Sequence, residues 1–173
     1  MEEILDIYTR DGKHLGSKEK SICHSSNPGF YHKPVWIWVI NSKGQILLQK
    51  RAKVKKSFPD LWDMPSAGHV SAGETSIHGA IRETEELGLE TLENDYLYVG
   101  EFVADISWEL AQIYLLKIDK DISDMKLQIE EVAEVKWVNL EEFKELFYST
   151  DFVPFDDEYR TLVIELLEDN INK

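Results

Sequence analysis

The chain has 173 residues, 43% hydrophobic and 11% aromatic, which is enough to bury a core in one domain. Acidic residues outnumber basic ones 33 to 19, for a formal charge of −14. That balance excludes a general binder of nucleic-acid polymers or anionic membranes, because both need a basic face, but it leaves a small anionic substrate open where a metal and a few basic groups converge.

Taken in chain order, residues 5–8 and 13–16 read as a short hairpin around the Asp11-Gly12 turn. Residues 24–34, with Asn27-Pro28-Gly29, read as a loop. The aromatic and β-branched run VWIWVI at 35–40 is a strand, Asn41 to Gly44 a turn, and 45–49 the returning strand. A basic stretch, RAKVKKSFP, follows at 51–59 and leads to a glycine-containing loop at 68–73. A helix is expected from Thr75 to Gly88, since Ile77, Ala80, Ile81, Thr84 and Leu87 recur at three- and four-residue steps and Gly88 suits the position after a helix. Further strands are expected at 96–103, 110–118 and 132–138, and amphipathic helices at 140–147 and 158–167. The mixture predicts an α/β or α+β sandwich with a mixed sheet, a single domain over 1–173 whose residues 1–30 form a small N-terminal β extension. Cys23 is the only cysteine, so no internal disulfide forms, and no stretch approaches the roughly 20 apolar residues of a membrane span. The Met-Glu-Glu start lacks the pattern of a signal peptide, so the expected compartment is the reducing cytoplasm.

The informative stretch is GHVSAGETSIHGAIRETEELGL, residues 68–89. Gly68, Glu74, Arg82 and Glu83 stand at the spacings of the Nudix box, which this stretch resembles: glycine, five residues, glutamate, seven residues, then an arginine–glutamate pair and a glutamate-rich turn. A glutamate run alone is usually a solvated helix face; the upstream spacing reverses those odds. The chemistry also fits. Attack on a diphosphate builds charge on oxygens that are already anionic, and divalent ions held by hard carboxylate ligands neutralise it and activate water.

The resemblance implies a Nudix fold, a mixed β-sheet sandwiched between α-helices. It also implies hydrolysis of a small-molecule diphosphate that depends on Mg2+, with Mn2+ as the alternative ion. It assigns metal binding to Glu83, Glu85, Glu86 and His69, and catalytic roles to Glu83, Arg82 and Glu109. Substrate binding falls to Arg51, Lys55 and Gly68. One residue is missing relative to the family pattern, so Glu83, Glu85 and Glu86 lie at i, i+2 and i+3 instead of i, i+3 and i+4. On a regular helix Glu85 then points roughly 160° from Glu83, at about 100° per residue. A distorted helix, a lost ligand or a dropped glutamate would each account for this.

Residues 32–75 resemble the isopentenyl-diphosphate isomerase branch of the same superfamily and its hydrolase relatives. In that branch, basic residues matching Lys20, Arg51, Lys55 and Arg82 contact the diphosphate. Histidines matching His24, His32 and His69, with a glutamate near Glu109, bind a second metal. The isomerase also uses a cysteine where this chain has Ala67, which favours hydrolysis. The other readings are the isomerase itself and a non-catalytic binder with a decayed box. The strand at 35–40 and the N-terminal hairpin are candidate surfaces for a homodimer.

Overall fold

The computed structural model describes residues 2–171. The chain opens with β1 (Ile4–Tyr8) and β2 (His14–Glu19), followed by the one-turn helix α1 (Lys20–Cys23). Then come β3 (Tyr31–His32), β4 (Pro34–Ile40), β5 (Ile46–Arg51), β6 (Trp62–Asp63) and β7 (Ser66–His69). The central helix α2 (Ser76–Glu85) precedes β8 (Tyr96–Ala104), β9 (Glu109–Lys117) and β10 (Val132–Val138). Helices α3 (Leu140–Phe147) and α4 (Asp157–Ile171) close the fold.

These strands form one mixed sheet, ordered β10-β5-β4-β9-β3-β1-β2, with β6 beside β5, β7 beside β4 and β8 beside β9. Strand β9 runs parallel to β4 and to β3, and the other pairings are antiparallel. The period-two pattern of β4 divides the core. Val35, Ile37 and Val39 point to the α2 face and pack with Leu47, Ala80, Leu87 and Leu89. Trp38 and Ile40 point to the opposite face, under α3 and α4, among Phe143, Phe147, Tyr159 and Val163. The Trp38 indole is fully buried and satisfies its N–H by donating to the Tyr159 hydroxyl at 2.9 Å. The sandwich expected from the sequence is the one observed.

Two local expectations change. The loop expected over 24–34 contains β3, because His32 pairs with Glu109 of β9 in parallel register. The N-terminal hairpin is not an appendage: β1 joins the main sheet through β3, and its small core of Leu5, Ile7 and Cys23 sits beneath. The regular turns of α2 end at Glu85, and Gly88 closes the helix in the role expected of it. The Leu89 N–H donates to the Thr84 carbonyl at 3.2 Å and the Gly88 N–H to the Glu85 carbonyl at 2.8 Å, with Gly88 at φ +74°, a Schellman closure. This tight end brings Leu87 and Leu89 into the core although the box is one residue short.

Candidate active site

The site grows from the turn between β7 and α2. Thr75 caps α2 by accepting from the His78 N–H at 3.4 Å, and Glu74 turns back to accept from the Ser71 N–H at 2.9 Å. Arg82, one helical face further on, donates to the Glu74 carboxylate at 3.2 and 3.1 Å and to the His69 carbonyl at 2.7 Å. Its remaining amino group holds Glu83. One guanidinium thus ties together the loop, the end of β7 and the adjacent glutamate. Its two carboxylates raise its own basicity further, so it stays charged. The N-terminal hairpin braces the same loop from outside: the Ala72 N–H donates to the Ile4 carbonyl at 2.8 Å and the Gly73 N–H to Asp6 at 2.9 Å.

Gly68 has no side chain for a reason visible at this point. A Cβ there would coincide with the Glu83 carboxylate, which lies directly over the glycine. Burial pushes the Glu83 carboxyl above the usual range, opposed by Arg82 and reinforced by the nearby charge of Glu86. Glu83 and Glu86 line one cavity of about 300 Å³ together with Gln49, Ser66, Ala67 and Glu131.

Glu85 is a correction. It is exposed, it is not part of that lining, and its charge acts on the Tyr96 hydroxyl on the other side of the helix. The cause is the angular step given by the missing residue, which the helix end does not undo.

His69 and Glu109 also sit elsewhere than beside those glutamates. His69, His24 and His32 bring their ring nitrogens within 4.8 Å of one another, with His24 Nε2 and His69 Nε2 at 2.8 Å. His32 is fully buried, and neither of its ring nitrogens has a hydrogen-bond partner. The Glu109 carboxylate lies 3.6 Å from His32 Nε2 and accepts from the Ser107 hydroxyl at 2.8 Å. Burial, with help from Lys20, pushes His69 down to about 3, and burial also lowers His24. Two imidazoles biased to the neutral form, beside a buried third whose ring nitrogens have no hydrogen-bond partner, have the chemistry of a metal-ligand set. Glu109, expected either as a rival base or beside the histidines, faces the histidines and does not line the glutamate cavity.

A second hollow, of about 540 Å³, lies on the other side of Glu131 and holds Lys20, Arg51, Lys55 and Lys56 beside His24. The Arg51 guanidinium is clamped, donating to Asp63 at 3.0 Å and to the Ser57 carbonyl at 3.1 and 3.0 Å. Asp63 is buried, and that burial pushes its carboxyl up to about 6 despite the arginine. Lys20 pairs with Glu3 at 2.8 Å, and Lys55 pairs with Glu131. Asp63 and Glu131 carry no motif and had no signal in the sequence. Gln49 and Gln128, which also line the glutamate cavity, had none either.

The comparisons agree with this geometry. A family model described as NUDIX domain matches residues 30–159. Nudix hydrolase 3 of Arabidopsis thaliana is 37% identical over 170 residues, covering 90% of this chain, although the chain spans only 22% of that protein's length. An uncharacterised Nudix hydrolase of Listeria innocua is 38% identical over 133 residues, covering 74% of this chain and 75% of its own. Isopentenyl-diphosphate isomerase 2 of Photorhabdus laumondii is 30% identical over 145 residues, covering 81% of this chain and 79% of its own. A crystal structure of a Deinococcus radiodurans protein superposes with a TM-score of 0.71 at 19% identity, over 96% of this chain and 98% of that one. With three-quarters of its length matched by the family model and the box carried on β7 and α2, the chain is an enzyme of the Nudix hydrolase family.

Proposed function

We propose that this chain hydrolyses the phosphoanhydride of a small-molecule diphosphate with the help of Mg2+, Mn2+ being the alternative. The observation that carries this reading is the juxtaposition of a carboxylate cavity, holding Glu83 and Glu86, with a basic hollow holding Arg51 and Lys55. The first supplies hard oxygen donors for the ion and the second supplies charge for the distal phosphate. The fit of an ion between Glu83 and Glu86 is supported by the electrostatics: two carboxylates share one cavity, and the charge of Glu86 works against ionisation of Glu83 unless a cation offsets it. A bound divalent ion would neutralise phosphate oxygens and acidify water.

The remaining work falls to the protein. Arg82 fixes the Glu83 carboxylate, and Gly68 lets it sit against β7. Held in this way, Glu83 can orient the attacking water and take its proton as the bridging P–O bond breaks. Arg51, clamped by Asp63, offers a preoriented guanidinium to a phosphate. The histidine trio with Glu109 fits a second divalent ion held by mixed imidazole and carboxylate donors. Ala67 lines the cavity with a methyl group and Cys23 is buried under the N-terminal hairpin, so no thiol serves the proton transfers of an isomerase there.

The test is a panel of nucleoside diphosphates, nucleotide sugars, dinucleotides and prenyl diphosphates with Mg2+ or Mn2+, run on the wild type and on Glu86→Gln. Metal-dependent turnover by the wild type and its loss in the folded variant are expected. Full activity in Glu86→Gln would remove the assignment.

A further inference from the structure

Glu131 holds a position that none of these roles uses. It lines the glutamate cavity and also the basic hollow, so it stands at their border. Its carboxylate is ion-paired with the Lys55 ammonium, which joins the loop after β5 to the turn before β10 across the mouth. The backbone beneath is pinned: the Glu131 carbonyl accepts from the Ala52 N–H at 2.9 Å, and its own N–H donates to the Gln128 carbonyl at 2.8 Å. The side chain is nevertheless 53% exposed, so the carboxylate is free to swing away while the fold stays in place. A diphosphate reaching from Glu83 and Glu86 to Lys55 has to pass this carboxylate and take the lysine from it.

Resting on the reading that cavity and hollow together hold a diphosphate, we infer that Glu131 is an internal competitor for Lys55 that a diphosphate displaces, at a cost in affinity, and a monophosphate does not. An ammonium is a compact point charge, so it goes to whichever neighbour offers it more negative charge. A diphosphate brings two charged groups and is anchored at its other end. A lone phosphate in the hollow meets a lysine already neutralised and a carboxylate that repels it. Once the anhydride is cleaved, the product loses its second anchor and Glu131 reclaims the lysine, which favours release.

The test is calorimetric titration of the full chain with inorganic pyrophosphate and, separately, inorganic orthophosphate at fixed Mg2+. The proteins are wild type, Glu131→Gln, Lys55→Ala and the double variant. Because the pair is partly exposed, its competition is worth about two- to fivefold in affinity. Glu131→Gln is expected to bind pyrophosphate tighter by that factor, because pyrophosphate no longer has to break the pair, and orthophosphate by less. Lys55→Ala is expected to weaken pyrophosphate more than orthophosphate, and in the double variant the gain in pyrophosphate binding from Glu131→Gln should vanish. Unchanged affinities in Glu131→Gln, beside a loss in Lys55→Ala, would overturn this inference and leave the proposed function standing. A gain of equal size with and without Lys55 would overturn it too, since that is long-range repulsion alone. If Lys55→Ala binds pyrophosphate like the wild type, the hollow is not the phosphate site and both readings fall.

Discussion

Replacing Gly68 with alanine isolates the position of one carboxylate from everything else in the protein. The Gly68 backbone is not in the left-handed region, so alanine meets no conformational penalty there. The new methyl would occupy the space of the Glu83 carboxylate, which must retreat by roughly 1 Å or more to reach van der Waals distance. Glu83 cannot simply swing aside, because Arg82 holds it and the same guanidinium is committed to Glu74 and His69. A displacement of about 1 Å in a group that orients the reacting water costs on the order of 100-fold in kcat, near 2.7 kcal/mol of barrier. Stability should change little. Alanine restricts the unfolded chain by about 0.4–1 kcal/mol, which offsets part of the local strain. The assay is steady-state turnover of whichever diphosphate the panel identifies, alongside thermal unfolding of the same preparations. A Gly68→Ala protein with kcat within threefold of wild type would show that the placement of Glu83 against β7 does not matter for the chemistry.

Other outcomes follow from the same contacts. Arg82→Ala should lower stability by about 1–3 kcal/mol in denaturant titrations, because Glu74 and Glu83 lose their shared partner; a change below 0.5 kcal/mol would remove its bracing role. Asp63 should give a pH-dependent term. Its native carboxyl keeps its proton to about pH 6 while the unfolded one releases it near 4, so the native state binds the extra proton between those values. The Asp63 contribution to stability therefore falls as pH rises from about 4 to 6, by an amount on the order of 1–3 kcal/mol, and Asp63→Asn should lack that fall; parallel unfolding curves for the two proteins across this range would contradict it. His32→Ala should abolish binding of one Mn2+ in equilibrium dialysis while the glutamate cavity keeps its own ion; an unchanged stoichiometry would dismiss the histidine trio as a ligand set. Inserting one glutamate after Glu86 should place a second carboxylate beside Glu83 and tighten Mg2+ binding, and no gain would show that the short box has lost nothing.

The fold was legible because its strongest strand is also its organising one. The alternation of VWIWVI in β4 assigns residues to two faces, and helices cover both. The angular argument that removed Glu85 from the glutamate cluster was likewise contained in the spacing. What sequence could not give were partnerships made across the fold. Asp63 meets Arg51 because β5 and β6 pair, and Glu131 meets Lys55 because β10 pairs with β5. Strand β3 is two residues long and exists through His32 and Glu109, a register no local pattern announces. Gly88 follows helix α2 as its spacing suggests, but the regular turns stop at Glu85, with Leu87 and Leu89 turned into the core.

The N-terminal hairpin changes where the working unit begins. The match to the family model starts at residue 30, yet Lys20 and His24 lie before it, as do Ile4 and Asp6, which hold the loop ahead of α2. A protein cut at that boundary would keep the central strands, the box and Glu83, but not β1 and β2. It would lose one of three converging imidazoles, one cation of the basic hollow and both outer tethers of the loop. The family boundary and the boundary of the proposed site therefore do not coincide. Grafting or shortening experiments that respect only the former would produce a folded domain with an underdetermined loop.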